Sequence, residues 1–183
     1  MPTRDFAQDL RSTAERARAT LQEMPPERAA RKPAPEKWSP AQIVGHLIDS
    51  ASNNHGRFVR AHFVPDLRFD GYEQELWVAA QEYATAPWPE IVTLWATLNL
   101  HLARIMESVP DDVLKRPRPD HNLDRLAWEA VPAAEPVTLE YFMRDYVGHL
   151  KHHLRQIDPT LAEAPALQRR GKPHPPGAAV PTI

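Results

Sequence analysis

The sequence predicts an all-α protein, a four-helix bundle with long connections and a Pro-rich C-terminal tail. The 20 prolines are clustered, and because proline removes a backbone donor and clashes with the preceding turn, long Pro-free windows are where uninterrupted helices can form. Four of these windows repeat apolar residues at steps of three and four, which is helical periodicity. No convincing strand alternation is present, apart from a candidate hairpin near 126–131.

The first two helices are predicted from the windows Thr3–Met24 and Ala41–Val64. The first window places its apolar residues on one helical face. The second has a start signal as well, with Ser39 as a good N-cap, Pro40 at the first helical position and Gln42 where a capping-box partner belongs. We therefore expect the second helix to begin directly after Ser39.

The third and fourth helices are predicted in the windows Glu90–Val109 and Val137–Asp158. Pro89 suits the first turn of the third helix, and Thr138 or Glu140 suits the beginning of the fourth. The predicted core face of the third helix consists of Ile91, Leu94, Leu98, Leu102, Ile105 and Val109. Four helices of about 20 residues, each about 30 Å long, are typical of a four-helix bundle.

The remaining segments are predicted to be connections. The window Asp66–Ala86 is interrupted by Gly71 and predicts a long connection with a short helix around Glu73–Tyr83. The Pro-rich segments 24–37 and 110–136 are predicted to be irregular. We divide the chain into a bundle, residues 1–158, and a tail, residues 159–183, whose six prolines and missing apolar periodicity predict a flexible or surface-lying segment.

Composition excludes several classes of function. The net charge of −2, without a long basic run, argues against binding to nucleic acid or to an anionic membrane. No apolar stretch approaches the roughly 20 residues of a membrane span. The absence of cysteine excludes disulfides, thiolate metal sites and a cysteine nucleophile, and it fits a reducing compartment. A cytoplasmic location is therefore the expectation.

Two histidines of the fourth helix fall on its predicted core face. This face is formed by Leu139, Phe142, Tyr146, His149, His153 and Ile157. A spacing of four places the rings of His149 and His153 on one side of the helix, about 6 Å apart along its axis. At this spacing two imidazoles can bind one metal ion in cis positions.

The second helix has a polar edge beside its apolar face. The apolar-to-small face consists of Ile43, Leu47, Ala51 or Ser50, Asn54 and Phe58, and the polar edge of His46, Asp49, Ser50, Asn53 and Arg57. Buried polar groups cost about 1–3 kcal/mol each unless they are paired. Three inward-pointing imidazoles, His46, His149 and His153, therefore need a partner, and a divalent metal with open coordination positions satisfies all three. The alternative is that each is a hydrogen-bonded core histidine.

The other polar residues have less specific interpretations. Asp49 is a candidate to orient a ligand imidazole or to accept a proton, and Asn53 and Arg57 continue this edge toward the bundle mouth. Arg57 can anchor a substrate carboxylate or form a structural salt bridge. His101 is a weaker candidate for a fourth ligand or a neighbouring polar group. The surface interpretation is favoured for His55, His62, His121 and His174.

Two motifs resemble those of the DinB superfamily, most closely its YfiT-like group of putative metal-dependent hydrolases. The segment from Lys37 to Ser50, followed by Asn53 and Arg57-Phe58, is similar to the second-helix signature, and the segment Tyr146–Ile157 is similar to the fourth-helix motif. The loop that carries Phe69-Asp70-Gly71-Tyr72-Glu73 and Trp77 also resembles this group. One departure is Gly45, which stands where related sequences can carry a second histidine beside the ligand.

The resemblance implies a bundle whose single metal, zinc or nickel, is held by His46, His149 and His153 in a homodimer. It also implies one of two activities: hydrolysis, or thiol S-transfer with bacillithiol or a similar low-molecular-weight thiol. A metal on three histidines activates a nucleophile in both cases, either water or a substrate thiol.

Two other interpretations come from different classes of protein. One is a non-catalytic bundle that binds a metal or a ligand. A fourth protein ligand to the metal, such as Asp49 or His101, would favour this interpretation. The other is an interaction module that uses Tyr83, Trp88 and Trp95. It is the weakest, because these aromatic residues fall near predicted core faces or helix ends.

Overall fold

The computed structural model describes residues 4–163, and it confirms the predicted all-α class. Within that range the chain forms eight α-helices and one short 3-10 helix, and no strand. The helices are α1 (Asp5–Gln22), α2 (Pro26–Ala30), α3 (Pro40–Arg60), α4 (Gln74–Ala80), α5 (Trp88–Ser108), α6 (Asp111–Lys115), α7 (Leu123–Leu126) and α8 (Leu139–Ile157), and the 3-10 helix spans Pro159–Ala162.

The four long helices α1, α3, α5 and α8 form the bundle. Helices α1 and α3 each pack against both α5 and α8. The short helices lie on the outside, α2 and α4 against α3, and α6 against α8. This arrangement makes α3 and α8 direct neighbours although they are far apart in the sequence, and these are the two helices that carry the predicted ligands.

The predicted helix starts are confirmed where a side chain caps the helix. The Ser39 hydroxyl accepts a hydrogen bond from the Gln42 N–H, and the Gln42 side chain accepts one from the Ser39 N–H. At α8 the Thr138 hydroxyl accepts a hydrogen bond from the Tyr141 N–H. These bonds satisfy backbone donors that the first turn leaves unpaired, and they fix where α3 and α8 begin.

The Pro-rich connections contain more helix than predicted, and the candidate hairpin is wrong. Helices α2, α6 and α7 are four or five residues long, which is too short for an apolar periodicity to be visible. Residues 126–131 form no strand. Instead the Asp145 carboxylate accepts hydrogen bonds from the N–H groups of Trp128 and Glu129, which are donors that a hairpin would need.

The predicted core face of α5 is wrong at one position. Leu94 is 49% exposed, whereas its neighbour Trp95 is completely buried. Helix α5 packs against both α1 and α3, so it needs a broad apolar surface, and a single narrow stripe does not describe it. Asn99, also buried, accepts a hydrogen bond from the Tyr146 hydroxyl across the core.

The described part of the predicted tail packs onto the bundle. The 3-10 helix contacts α1 and α8, and its residues Leu161 and Ala162 are buried. Asp158 caps this turn by accepting a hydrogen bond from the Thr160 N–H. The rest of the predicted tail, 164–183, lies outside the described residues.

Candidate metal centre

Three histidines from α3 and α8 converge on one point between the two helices. His46 is 2% exposed, and His149 and His153 are half-buried. The ring centroids lie 5.3 Å apart for His46 and His149, 4.7 Å for His46 and His153, and 4.6 Å for His149 and His153. One ring nitrogen from each residue lies within 4.8 Å of the others.

The closest pair of nitrogens has the spacing of two ligands on one metal. His46 Nε2 and His149 Nε2 are 3.4 Å apart. Two nitrogens bound at about 2.0–2.1 Å to a tetrahedral zinc ion are about 3.3–3.4 Å apart, from the tetrahedral angle. Without an ion, two neutral Nε2 atoms at this distance pair only if one of them carries a proton. The donor set therefore fits a divalent metal.

The imidazoles are held in the neutral form that binds metals. Burial and, to a smaller extent, the neighbouring His153 lower the pKa of His46 to about 4 and that of His149 to about 3. Burial also lowers the pKa of His153. At neutral pH all three rings are therefore uncharged, so a metal ion does not have to displace protons from them.

Gln156 orients the ring of His153, a contact that the histidine spacing did not predict. His153 Nδ1 lies 3.2 Å from Gln156 Oε1. Since this oxygen only accepts hydrogen bonds, the proton is on Nδ1 and the lone pair is on Nε2. The Gln156 amide nitrogen is 3.1 Å from His152 Nε2, which gives exposed His152 a polar role outside the cluster.

Trp38 packs beside the three histidines. Its ring centroid is 5.1 Å from that of His46 and 6.5 Å from that of His153. Trp38 directly precedes the N-cap Ser39, so the same local structure that starts α3 places this ring against the cluster. It supplies an apolar wall, which strengthens the interactions of the imidazoles with a charged ion.

A cavity of about 440 Å³ opens from the cluster along α3 and α8. His46 and His149 line one end of it. The rest of the lining includes Ser50, Asn54, Arg57, Tyr72, Asp145 and Tyr146. Two of the three predicted ligands therefore face a space of the size that a small molecule occupies.

The two adjacent asparagines of α3 face different ways in the structure. Asn54 lines the cavity, whereas Asn53 is absent from its lining and donates from its side chain to the Asp49 carbonyl oxygen. Asn53 therefore does not line this cavity, and its predicted role stays a prediction. Successive residues of an α-helix are rotated by about 100° around its axis, so adjacent side chains point in different directions. Asn54 therefore faces inward beside Arg57.

Asp49 is buried and is absent from the cavity lining. Its Oδ1 accepts hydrogen bonds from the Tyr83 hydroxyl at 2.8 Å and from the Gln81 amide at 2.7 Å. Its Oδ2 and the His46 Nδ1 are both buried without a hydrogen-bond partner. No hydrogen bond joins Asp49 to His46, and the carboxylate that lines the cavity is Asp145 of α8.

Gly45 makes room for the ring of Tyr83. A Cβ atom at this position would lie 2.1 Å from Tyr83 Cδ2, a distance that no packed structure tolerates. The place where related sequences can carry a second histidine is therefore filled by an aromatic ring. Its hydroxyl is fixed by Asp49, so Tyr83 holds the backbone beside His46 from outside the cavity.

The remaining histidines lie away from the cluster. His101 is exposed and packs against His55, with ring centroids 5.3 Å apart, so it is not a fourth member of the cluster. The surface interpretation is wrong for His121, which is 3% exposed. Its ring lies 2.8 Å from the Glu135 carbonyl oxygen and accepts a hydrogen bond from the Leu123 N–H. His174 lies outside the described residues.

The aromatic residues of the proposed interaction module belong to the core. Tyr83, Trp88 and Trp95 are all buried, and the Trp88 indole donates a hydrogen bond to the Leu21 carbonyl oxygen. They are therefore not available as a docking surface. None of the helices within residues 4–163 has the combined length and hydropathy of a membrane span.

Known proteins show the same architecture. The model of the DinB superfamily matches residues 9–157. The chain is also similar in structure to YfiT from Bacillus subtilis, described as a probable metal-dependent hydrolase with an unusual four-helix bundle topology. The TM-score is 0.68 at 21% identity, over 86% of this chain and 83% of that chain. No curated protein matches the sequence. At this identity the similarity to YfiT establishes the shared fold.

Proposed function

The chain belongs to the DinB superfamily, and we propose that it is a metal-dependent hydrolase whose single divalent metal is held by His46, His149 and His153. The observation that carries this proposal is the convergence of three neutral imidazoles at one end of a cavity. Zinc and nickel are the proposed metals, because imidazole suits both.

The number of ligands favours catalysis over a structural metal. Structural zinc sites are closed by four protein ligands, whereas catalytic sites keep a position open. Within residues 4–163 the cluster contains three histidines and no fourth His, Asp or Glu ligand. The two residues that would have closed it lie elsewhere, since Asp49 binds Tyr83 and His101 is exposed.

A divalent metal at this site supplies Lewis acidity and makes water a nucleophile at neutral pH. The chain itself fixes the ligand orientation through Gln156, and Trp38 covers part of the cluster. We assign proton acceptance to Asp145, which lines the cavity one helical turn before His149. Burial raises the pKa of this carboxyl, which makes it a stronger base than an exposed aspartate.

Asp49 has a positioning role in this proposal. It is buried, lies outside the cavity lining and holds Tyr83 over Gly45. Asp49 therefore fixes the first part of α3, and with it the position of the His46 ring relative to the two histidines of α8. We propose Asn54 and Arg57, rather than Asn53, as the polar residues of α3 that meet the substrate.

Metal stoichiometry tests the ligand set. Zinc-loaded protein is expected to contain one zinc ion per chain by elemental analysis, and His149→Ala is expected to lose most of it. His101→Ala is the matched control, because this histidine is exposed and lies outside the cluster. Full zinc content in His149→Ala would remove His149 from the site and contradict the proposal.

Thiol S-transfer is the alternative that the resemblance implies, and it uses the same three ligands. Since the chain has no cysteine, the sulfur nucleophile would arrive as a second substrate. An electrophilic ester or halide is offered to the zinc-loaded protein with and without bacillithiol. Turnover in water alone supports hydrolysis, and product that forms only with the thiol supports transfer.

Two further predictions from the sequence stay predictions. The division into a bundle, 1–158, and a tail, 159–183, is tested by comparing the stability of a truncation after Asp158 with that of a truncation after Glu163, which keeps the packed 3-10 helix. The homodimer is tested by light scattering during size-exclusion chromatography, which measures the molar mass of the protein in solution.

A further inference from the structure

A buried arginine lines the same cavity as the three-histidine cluster. Arg57 is 5% exposed, and burial lowers the pKa of its guanidinium, which marks a costly position for a cation. Its Nη2 donates to the Asp70 carbonyl oxygen at 2.6 Å, and its Nη1 reaches Asn54 Oδ1 at 3.5 Å. Neither partner carries the charge that would neutralise it, since one is a backbone carbonyl and the other an amide.

No carboxylate of the described residues forms an ion pair with Arg57. Tyr72 and the exposed Asp70 attract the guanidinium electrostatically and Arg60 opposes them, but none of these groups forms an ion pair with it. The structural salt bridge considered for Arg57 from the sequence is therefore not formed. One positive charge faces the cavity without a counter-ion.

A second buried arginine shows what a purely structural role looks like in this protein. Arg118 is 1% exposed, and its two terminal nitrogens donate to four backbone carbonyls, those of Ala61, Val64, Asp66 and Val113. Arg118 is not part of the cavity lining. Arg57 has fewer acceptors and faces open space, so part of its donor fork is free to bind a ligand.

The other charged groups of the cavity lining form no ion pair with Arg57. Asp145 is the one carboxylate in the lining, and its two oxygens accept hydrogen bonds from Trp128 and Glu129. Arg125 at the lining is exposed and paired with Asp124. Arg57 therefore has no ion-pair partner in the lining, and a monoanionic group of a ligand would provide one.

The spacing along α3 sets the distance between this charge and the histidines. His46, Ser50, Asn54 and Arg57 all line the cavity from one face of α3. Eleven residues separate His46 from Arg57, which corresponds to about 16 Å along the axis. The long arginine side chain leans toward the helix N-terminus, so its fork lies about 10–15 Å from the cluster.

We propose that Arg57 is an anion subsite, and that the substrate is an elongated monocarboxylate. Its reacting bond lies about 5–10 Å from its carboxylate, because one hydrogen bond and one metal–ligand bond take up about 5 Å of the distance between Arg57 and the cluster. Arg57 binds the carboxylate through its free donors, and the Asn54 amide, held beside it, supports the fork. This inference rests on the proposed function, because it places the reacting bond at the three-histidine cluster.

A series of ligands of increasing length tests the distance between the three-histidine cluster and Arg57 in the wild-type protein. The probes are monohydroxamates of linear dicarboxylic acids, from succinic to sebacic acid, in which the hydroxamate binds zinc and the free carboxylate is at the other end. Their methyl esters are the uncharged controls. By calorimetry of the zinc-loaded protein we expect the acid to bind about 10–100-fold more tightly than its ester, and only in the longer half of the series.

Variants of α3 assign the effect to one residue. Arg57→Gln is expected to bind acid and ester equally while it keeps its zinc, and Arg57→Lys is expected to retain a reduced preference for the acid because it keeps the charge without the fork. Arg60→Gln removes the same charge from the same helix at an exposed position, and we expect it to keep the full preference. Equal binding of acid and ester at every length by the wild type, or an Arg60→Gln variant that loses the preference as Arg57→Gln does, would overturn the proposal.

A zinc-free experiment separates this inference from the proposed function. Decanoate and its neutral amide are titrated into the metal-free protein and followed by NMR of the arginine side chains. Preferential binding of the carboxylate, lost in Arg57→Gln, would support the subsite even if zinc did not bind to the histidines. Zinc binding without any carboxylate preference would support the metal site and contradict the subsite.

Discussion

Gly45 and Gly56 lie in the interior of the same helix, yet their surroundings predict opposite effects of a methyl group. A Cβ at Gly45 would lie 2.1 Å from the buried Tyr83 ring, whereas one at Gly56 would lie 3.1 Å from the end of the flexible Arg60 side chain. We expect Gly45→Ala to destabilise the fold by about 1–3 kcal/mol through overpacking. Gly56→Ala should stabilise it by about 0.5–1 kcal/mol through helix propensity. Urea unfolding measures both.

The cause assigned to Gly45 can be isolated by removing the ring. In a Tyr83→Ala background we expect Gly45→Ala to lose most of its cost, because the clashing Cγ, Cδ2 and Cε2 atoms are then absent. A penalty for Gly45→Ala that persists without the Tyr83 ring would show that the close packing on α3 is not its origin.

The buried histidines predict how the stability of the metal-free protein depends on pH. Histidine in an unfolded chain has a pKa of about 6.5, and burial lowers the pKa to about 4 for His46 and about 3 for His149 in the fold. Between these values the unfolded chain binds more protons, so stability falls with falling pH by up to about 1.4 kcal/mol per unit for each group. Urea unfolding between neutral pH and about pH 5 should show this loss.

A matched variant assigns the pH dependence to its source. His46→Gln removes one of the buried rings, and we expect a shallower decline of unfolding free energy with falling pH than in the wild type. An unchanged slope would mean that His46 is not kept neutral by the fold.

The histidine cluster is the part of the site that the sequence predicts best. His149 and His153 share a face because helical spacing decides it, and His46 lies on the inner side of α3 by the same rule. Asn54, His121 and Asp145 were not predicted in their observed positions. Their positions depend on which way a helix rotates in the bundle, or on loops that bring distant backbone groups to a side chain, and neither leaves a local pattern.

Arg118 holds the segment that follows the C-terminal end of α3 against α6. The guanidinium binds the carbonyls of Ala61, Val64 and Asp66 after α3, and that of Val113 in α6. We expect Arg118→Met to lower the free energy of unfolding by about 3 kcal/mol or more, because several buried carbonyls lose their donor. Arg116→Met is the control, since Arg116 is exposed and makes only an i,i+4 pair with Asp112, worth about 0.5 kcal/mol. Equal effects of the two substitutions in urea unfolding would contradict the connecting role of Arg118.

The helices whose start is encoded locally were predicted closely, and those without such a signal were not. Ser39 and Thr138 cap α3 and α8 with their own side chains, and such caps can be read from a few residues. The short helices α2, α6 and α7 form against the bundle, and the exposed Leu94 shows that the buried side of α5 is chosen by its two neighbours. These choices are made by packing between elements.

The three histidines come from two different helices of the bundle, α3 and α8. A metal bound to all three would link these helices, so we expect metal binding to stabilise the whole fold. A ligand at about 1,000 times its Kd adds about 4 kcal/mol, which in a chain of this size raises Tm by about 10 °C. We expect this shift when zinc is added to the wild type and to His101→Ala, and its loss in His149→Ala. An equal shift in His149→Ala would mean that zinc stabilises the protein elsewhere.

The most direct test is a crystal structure of the zinc-loaded protein, with the ion located by anomalous diffraction at the zinc edge. We expect one strong peak among the Nε2 atoms of His46, His149 and His153, at about 2.0–2.1 Å from each, with a free coordination position toward the cavity. A peak at another site, or an ion closed by a fourth protein ligand, would contradict the account.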